Sequence, residues 1–192
     1  MSVGDASPYT GPPPYTGPLP PDDIHRVAIV YSHDDGHTWS STMAPPTYTK
    51  QSADYTIVQG DPSAAVNAAG TGYVLYHELE SYFEYGCGTG PHILRSRIML
   101  ASTTDGISVQ ASPVREFDEN TGPGESGYEN GYLDGPKLVI TPDDTLHLAW
   151  WEAPYSVDNP IVPRLRYWRF GTSAVTLAEK EQAGWPHLFA DI

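Results

Sequence analysis

One cysteine in 192 residues, Cys87, leaves no partner for an internal disulfide and no thiolate cluster for zinc. Cations are scarce as well. Ten Lys and Arg face 24 Asp and Glu, a formal charge of −14. Ten scattered cations cannot build the basic face that duplex binding or an anionic membrane surface needs, so nucleic acid is not expected as a partner. No apolar run approaches the roughly 18 to 20 residues of a membrane-spanning helix. The N-terminus, Met1-Ser-Val-Gly-Asp5, lacks the basic and apolar regions of a secretory signal. Helix signals are almost missing too: the one compatible stretch, Val175 to Gln182, is poorly bracketed by Thr176 and Gly184.

What the chain has in quantity is turn formers and aromatics. Eighteen glycines and nineteen prolines make up nearly a fifth of it, beside thirteen tyrosines, five tryptophans and four phenylalanines. Seven of the prolines lie in the first 22 residues, where Pro8-Tyr-Thr-Gly-Pro12 repeats as Pro14-Tyr-Thr-Gly-Pro18. Proline removes an amide donor and fixes φ, so residues 1–24 are expected to form an extended arm. From residue 25 to 192 the chain reads as short strands between turns: 26–31, 72–77, 93–100, 137–140, 146–151 and 164–170. An all-β fold is expected.

A repeat organises these strands. Asp61-Pro-Ser-Ala-Ala-Val66 through Glu78 aligns, at a shift of 74, with Gly135-Pro-Lys-Leu-Val-Ile140 through Glu152. Pro62 falls on Pro136, Thr71 on Thr145, Tyr76 on Trp150 and Glu78 on Glu152. Each copy reads as strand, turn, strand, the opening half of a four-stranded antiparallel blade; repetition of such blades is how a propeller limits its edges.

Ser32-His33-Asp34-Asp35-Gly36-His37-Thr38-Trp39 matches Ser-x-Asp-x-Gly-x-Thr-Trp at every defined position. On this motif the chain resembles the sialidase-like Asp-box (BNR-repeat) β-propellers. Asp34 is suited to accept amide hydrogen bonds, Gly36 to adopt a φ that a Cβ would penalise, and Trp39 to pack between strands. A degenerate copy, Ser102-Thr-Thr-Asp-Gly106-Ile-Ser108-Val109, carries threonine at the aspartate position and valine at the tryptophan position; a third place, Gly171-Thr-Ser-Ala-Val-Thr176, has lost the motif. The resemblance implies that such boxes join the third and fourth strands of a blade. Residues 26–49 then make half a blade, 61–112 a second and 135–180 a third, with 183–192 opening a fourth. A family ring has six. The resemblance therefore implies self-association, or blades supplied by a longer parent, with Arg26–Tyr31 and Pro186–Ile192 pairing with strands from elsewhere. It is also compatible with an extracellular or surface-associated setting.

Under that strand order the ligand face is made by loops 78–92, 113–135 and 152–163, which are acidic and aromatic. Carboxylate pairs with aromatic platforms are what glycan binding and glycoside chemistry use, although such loops also occur as plain solvated surface. Glu78 and Glu152 stand out because the repeat gives them one blade position; Tyr82 and Tyr155 are the nearby aromatic candidates. The implied function is a carbohydrate-binding or glycan-processing module taking a glycan or other neutral ligand. The alternatives are a structural or adhesive subunit and a truncated glycoside hydrolase. Sialidase activity itself fits poorly, since the negative charge repels sialic acid, and Arg95, Arg97, Arg164 and Arg166 lie within strands at positions suited to face outward. The seven histidines show no zinc spacing and read as surface residues. No cofactor is expected. Asp22-Asp23 and Asp143-Asp144 are at most weak calcium candidates, and Cys87 reads as incidental.

Overall fold

A computed structural model describes residues 24–45, 55–82, 92–118, 132–153 and 163–179. The proline-rich arm to residue 23, and residues 183–192, lie outside them. Within the described residues the chain is all-β: β1 (Ile24–His25), β2 (Ala28–Tyr31), β3 (Ser40–Met43), β4 (Tyr55–Val66), β5 (Gly72–Tyr82), β6 (His92–Thr103), β7 (Gln110–Asp118), β8 (Tyr132–Ile140), β9 (Leu146–Ala153), β10 (Arg164–Arg169) and β11 (Val175–Glu179). The stretch compatible with a helix is strand β11. Its β-branched Val175 and Thr176 pair antiparallel with β10, and Arg166 Nη1 donates to Thr176 Oγ1.

Two antiparallel meanders, β4-β5-β6-β7 and β8-β9-β10-β11, form four-stranded blades, and β2-β3 forms a separate hairpin. The two-residue β1 adds parallel to β4, setting Ile24 against Ile57. The first blade is the middle of three layers, which is why β5 and β6 are apolar on both faces. Val74, Tyr76, Met99 and Ala101 meet Val27, Ile29 and Ala44 of the hairpin layer. On the opposite face Leu75, Ile98 and Leu100 meet Leu133, Leu138, Leu148 and Trp150 of the second blade. Each fully buried side chain of this size contributes about 1.5–3 kcal/mol relative to exposure.

The first strand of each blade breaks register at the same place. β4 bulges between Gly60 and Ser63, β8 between Asp134 and Lys137. Each bulge contains a proline preceded by a residue in the left-handed region, Asp61 at φ 50° before Pro62 and Gly135 at φ 56° before Pro136. Ser63 Oγ accepts the Leu138 amide at 3.0 Å and ties the two bulged strands together.

The turns at one end of the sheets are closed by short polar side chains. Asp34 accepts the Thr38 amide at 2.7 Å and the Thr38 hydroxyl at 2.6 Å, while Ser32 Oγ donates to Asp34 and accepts the Gly36 amide at 2.8 Å. Gly36 sits at φ 88°. Trp39 departs from expectation: it is 63% exposed, not packed between strands. No sheet covers the far side of the hairpin among the described residues, so the indole folds back over its own turn and donates Nε1–H to Gly36 O. The degenerate copy is corrected by one residue. Thr103, rather than Ser102, supplies the hydroxyl, and Asp105 accepts the Ile107 and Ser108 amides. The loop is one residue shorter than in the hairpin, so the aspartate has moved along with it. Gly106, at φ 70°, lies under Tyr31, where a Cβ would come within 2.5 Å of the tyrosine and of Ser40 Oγ. The same clamp recurs in the β8–β9 turn, where Asp143 accepts from Thr141 Oγ1 and the Thr145 amide. The β10–β11 turn has no aspartate and is held instead by Trp168 Nε1 donating to Thr172 O at 2.6 Å.

Candidate functional site

In a meander the first–second and third–fourth connections share one end, and the remaining loops share the other. The aspartate turns occupy the first end. The loops of the second end, 46–54, 83–91, 119–131 and 154–162, lie outside the described residues, and Tyr155 with them. The strand segments leading to that second end are described, and there the buried ionisable groups collect.

Glu78 and Glu80 lie within β5 and Glu152 within β9, not in loops as the strand order implied. Pairing with β6 carries β5 past its acids to Tyr82, and pairing with β10 extends the β9 ladder to Glu152 itself, one residue before the strand ends at Ala153. Tyr82 is the last residue of β5. Glu78 is fully buried and faces the hairpin layer; its Oε2 accepts Gln59 Nε2–H at 2.7 Å, and Gln59 Oε1 in turn accepts the Val27 amide. Arg97 bridges Glu78 and Glu116, while Arg95 pairs with Glu80 at 3.6 Å. Glu152, also buried, faces the first blade and pairs with Arg115 at 3.2 Å and Arg166 at 3.7 Å. Thus the two repeat-related glutamates each face the preceding layer and each meet arginine. Arg95, Arg97 and Arg166 therefore turn inward onto carboxylates instead of facing outward, since a buried carboxylate needs a cation beside it. The Tyr76 hydroxyl is buried near Glu78 without a hydrogen-bond partner; burial first, and the Glu78 charge second, push its pKa well up, so it is a neutral phenol.

On the other face of β5, His77 is only 6% exposed and is not the surface residue expected. Its Nε2 is 3.1 Å from Ser96 Oγ, which also accepts the Leu133 amide at 3.0 Å. Burial lowers its pKa to about 4, against a smaller opposing effect of Asp61, so the imidazole is neutral near pH 7. Asp61 and Asp134 approach from the two bulges, and ligand atoms of Asp61, His77 and Asp134 lie within 4.8 Å of one another. Tyr132 covers the ring edge-on at 5.2 Å. Its phenol is pushed up to about 12 by burial and then by the charges of Asp134 and Asp61, which marks a negative potential here. The order Ser96–His77–Asp61 has the look of a nucleophilic triad. It cannot act as one as it stands: Ser96 is completely buried and its oxygen is committed to the Leu133 amide.

No sequence signal based on spacing along one strand could find this group, because its members come from β4, β5 and β8. The repeat alignment carried a trace of it: Asp61 stands where the sister blade has Gly135. The calcium candidates are placed differently. Asp143 is engaged in its own turn and Asp144 accepts the Ala68 amide of the β4–β5 turn at 3.0 Å; Asp22-Asp23 lie outside the described residues. An open cleft of about 470 Å³ beside Asp144, lined by Tyr73, Arg169 and Phe170, lies at the turn end, and none of Glu78, His77 and Glu152 lines it.

The described strands thus define an all-β chain built on two four-stranded antiparallel meanders. No protein-family model matches the chain, and no curated protein sequence does. Its fold is similar to a solved structure of GH130, a family of mannoside phosphorylases that contains glycoside hydrolases targeting β-1,2-mannosidic linkages in Candida mannan. The match has 17% identity, a TM-score of 0.38, and covers 66% of this chain and 33% of the other. The chain spans about a third of that protein's length. A likeness at that level does not bear on function.

Proposed function

We propose that the chain is a carbohydrate-binding or glycan-processing propeller module whose ligand face is the end of the blades where their second strands finish. The observation that carries this reading is the gathering of buried ionisable groups, Glu78, Glu80 and Glu152 with their arginines, in the half of each blade where the second strand finishes. Held ion pairs beneath a ligand face fix the positions of polar groups before a ligand arrives. The Ser32–Trp39 match to the sialidase-like family supports the same reading. Sialidase chemistry is not part of it. Arg95, Arg97 and Arg166 are neutralised by the protein's own carboxylates, and a negative face disfavours a carboxylate-bearing sugar, so the ligand is a neutral glycan. The test is a glycan array with the intact chain, joined to turnover of aryl glycosides. Saturable binding or turnover of a neutral glycan, weakened about tenfold in Glu116→Gln, is expected. Silence in both assays removes the reading.

A structural subunit assembling from copies of itself is the second reading. It is favoured by apolar side chains facing outward on the outer layers, Val30 and Met43 on the hairpin and Val175 and Leu177 on β11. Its signature is a mass in solution that grows with concentration and falls in Val30→Ser/Met43→Ser.

A further inference from the structure

We propose that Asp61, His77 and Asp134 form a binding site for a divalent transition-metal cation, with zinc the best match, at the junction of the two blades. The donor set is one imidazole nitrogen and two carboxylate oxygens, already within 4.8 Å of one another. Zinc bonds of about 2.0–2.1 Å would draw those atoms to roughly 3.4 Å, a closure that side-chain rotation of two aspartates can supply. Calcium and magnesium prefer all-oxygen shells, and the imidazole argues against them.

The histidine supplies the independent observation. His77 is more than nine-tenths buried, its Nε2 is engaged by Ser96, and Nδ1 makes no hydrogen bond among the described residues. A buried ring oriented through one nitrogen, with the other making no hydrogen bond and two carboxylates within 4.8 Å of a ring nitrogen, has the form of a metal ligand backed by its outer partner. The backbone agrees. Asp61 occupies a left-handed conformation, φ 50°, at the bulge position where the sister blade has Gly135 at φ 56°. Glycine is the unstrained choice there, so the carboxylate is placed against a backbone preference. Asp61 is exposed, which leaves a route in from solvent. The site is distinct from the proposed glycan face: either reading can fail alone.

The experiment is zinc titration of the full chain by calorimetry, with thermal melts and NMR of the imidazole nitrogens. One zinc per chain is expected, with a melting temperature that climbs with zinc concentration and a shift of a His77 ring-nitrogen resonance. Asp61→Gly is the decisive variant, because glycine suits the bulge. Without metal it should melt at or above the wild-type temperature, and its zinc affinity should fall at least tenfold. Asp134→Asn should weaken zinc similarly. Failure of zinc and manganese to bind saturably overturns the proposal. So does zinc binding that Asp61→Gly and Asp134→Asn leave unchanged, or a calcium affinity exceeding that for zinc.

Discussion

From Gly72 to Tyr76, β5 buries small, aliphatic and aromatic side chains against both neighbouring layers; from His77 to Glu80 the same strand buries an imidazole and two carboxylates. The change happens at one rung and repeats elsewhere. On β6 it falls between Arg97 and Ile98, and on β9 between Trp150 and Glu152. In the turn half, stability comes from non-directional apolar burial, and the turns themselves are closed by aspartates in water. In the loop half, the buried charges depend on named partners in another strand or layer, Arg97 beside Glu78 and Arg115 and Arg166 beside Glu152. The lesson is that a blade is two materials joined end to end. The apolar half tolerates approximate chemistry, whereas the charged half fails when a single partner is lost.

That contrast can be broken deliberately. The largest effect is expected from Arg97→Ala, which takes a paired arginine from buried Glu78 and should cost about 3–5 kcal/mol in denaturant unfolding. Adding Glu78→Gln to that variant should recover much of the loss; a simple sum of the two single effects would show that the pair is not coupled. In the turn half, Leu148→Ala should cost about 3 kcal/mol through lost burial and a residual cavity, with no second substitution able to restore it by charge alone. Gly106→Ala should cost about 2 kcal/mol, since alanine meets both a left-handed φ and the Tyr31 side chain. Its signature is earlier hydrogen exchange in the β2–β3 hairpin, which Tyr31 docks onto the Gly70 carbonyl. The smallest effect is expected from acid. Hydrogen bonds from Thr38 hold Asp34 below the ordinary 3.8, those of the Ile107 and Ser108 amides hold Asp105 well below it, and those from Thr141 and Thr145 hold Asp143 below it. Carboxylates with depressed folded pKa values stabilise above the unfolded value and lose that contribution as pH falls. The melting temperature should therefore decline below about pH 4, and less steeply in Asp105→Asn.

The turn half was the legible one. Alternating β-branched and aromatic runs, proline and glycine punctuation, and the match of residues 61–78 with 135–152 carry enough local information to place both blades, although β4 opens at Tyr55 and β7 reaches Asp118. Where local reading failed, the reason was tertiary. Trp39 is expected between strands, but no layer covers it among the described residues. Threonine at the expected aspartate position reads as a degenerate copy, because a shorter loop has moved the aspartate to Asp105. The inward arginines and His77 depend on which layer lies across from them, and alternation along a strand cannot tell a strand with one buried face from one with two.

The paired bulges bear on how such a sheet behaves toward other strands. Among the described residues β8 is an edge of its sheet, and nothing in the ladder chemistry of β-structure limits a sheet to four strands. Pro136, fully buried within β8, has no amide to offer, and Gly135 beside it turns the backbone out of the pleat. A strand arriving from another molecule would meet an interrupted template about midway along that edge. The kink that brings Asp134 toward His77 therefore also serves as protection against runaway sheet growth. Straightening it, with Pro136→Val and Gly135→Val together, would be expected to yield a protein prone to aggregate through that edge.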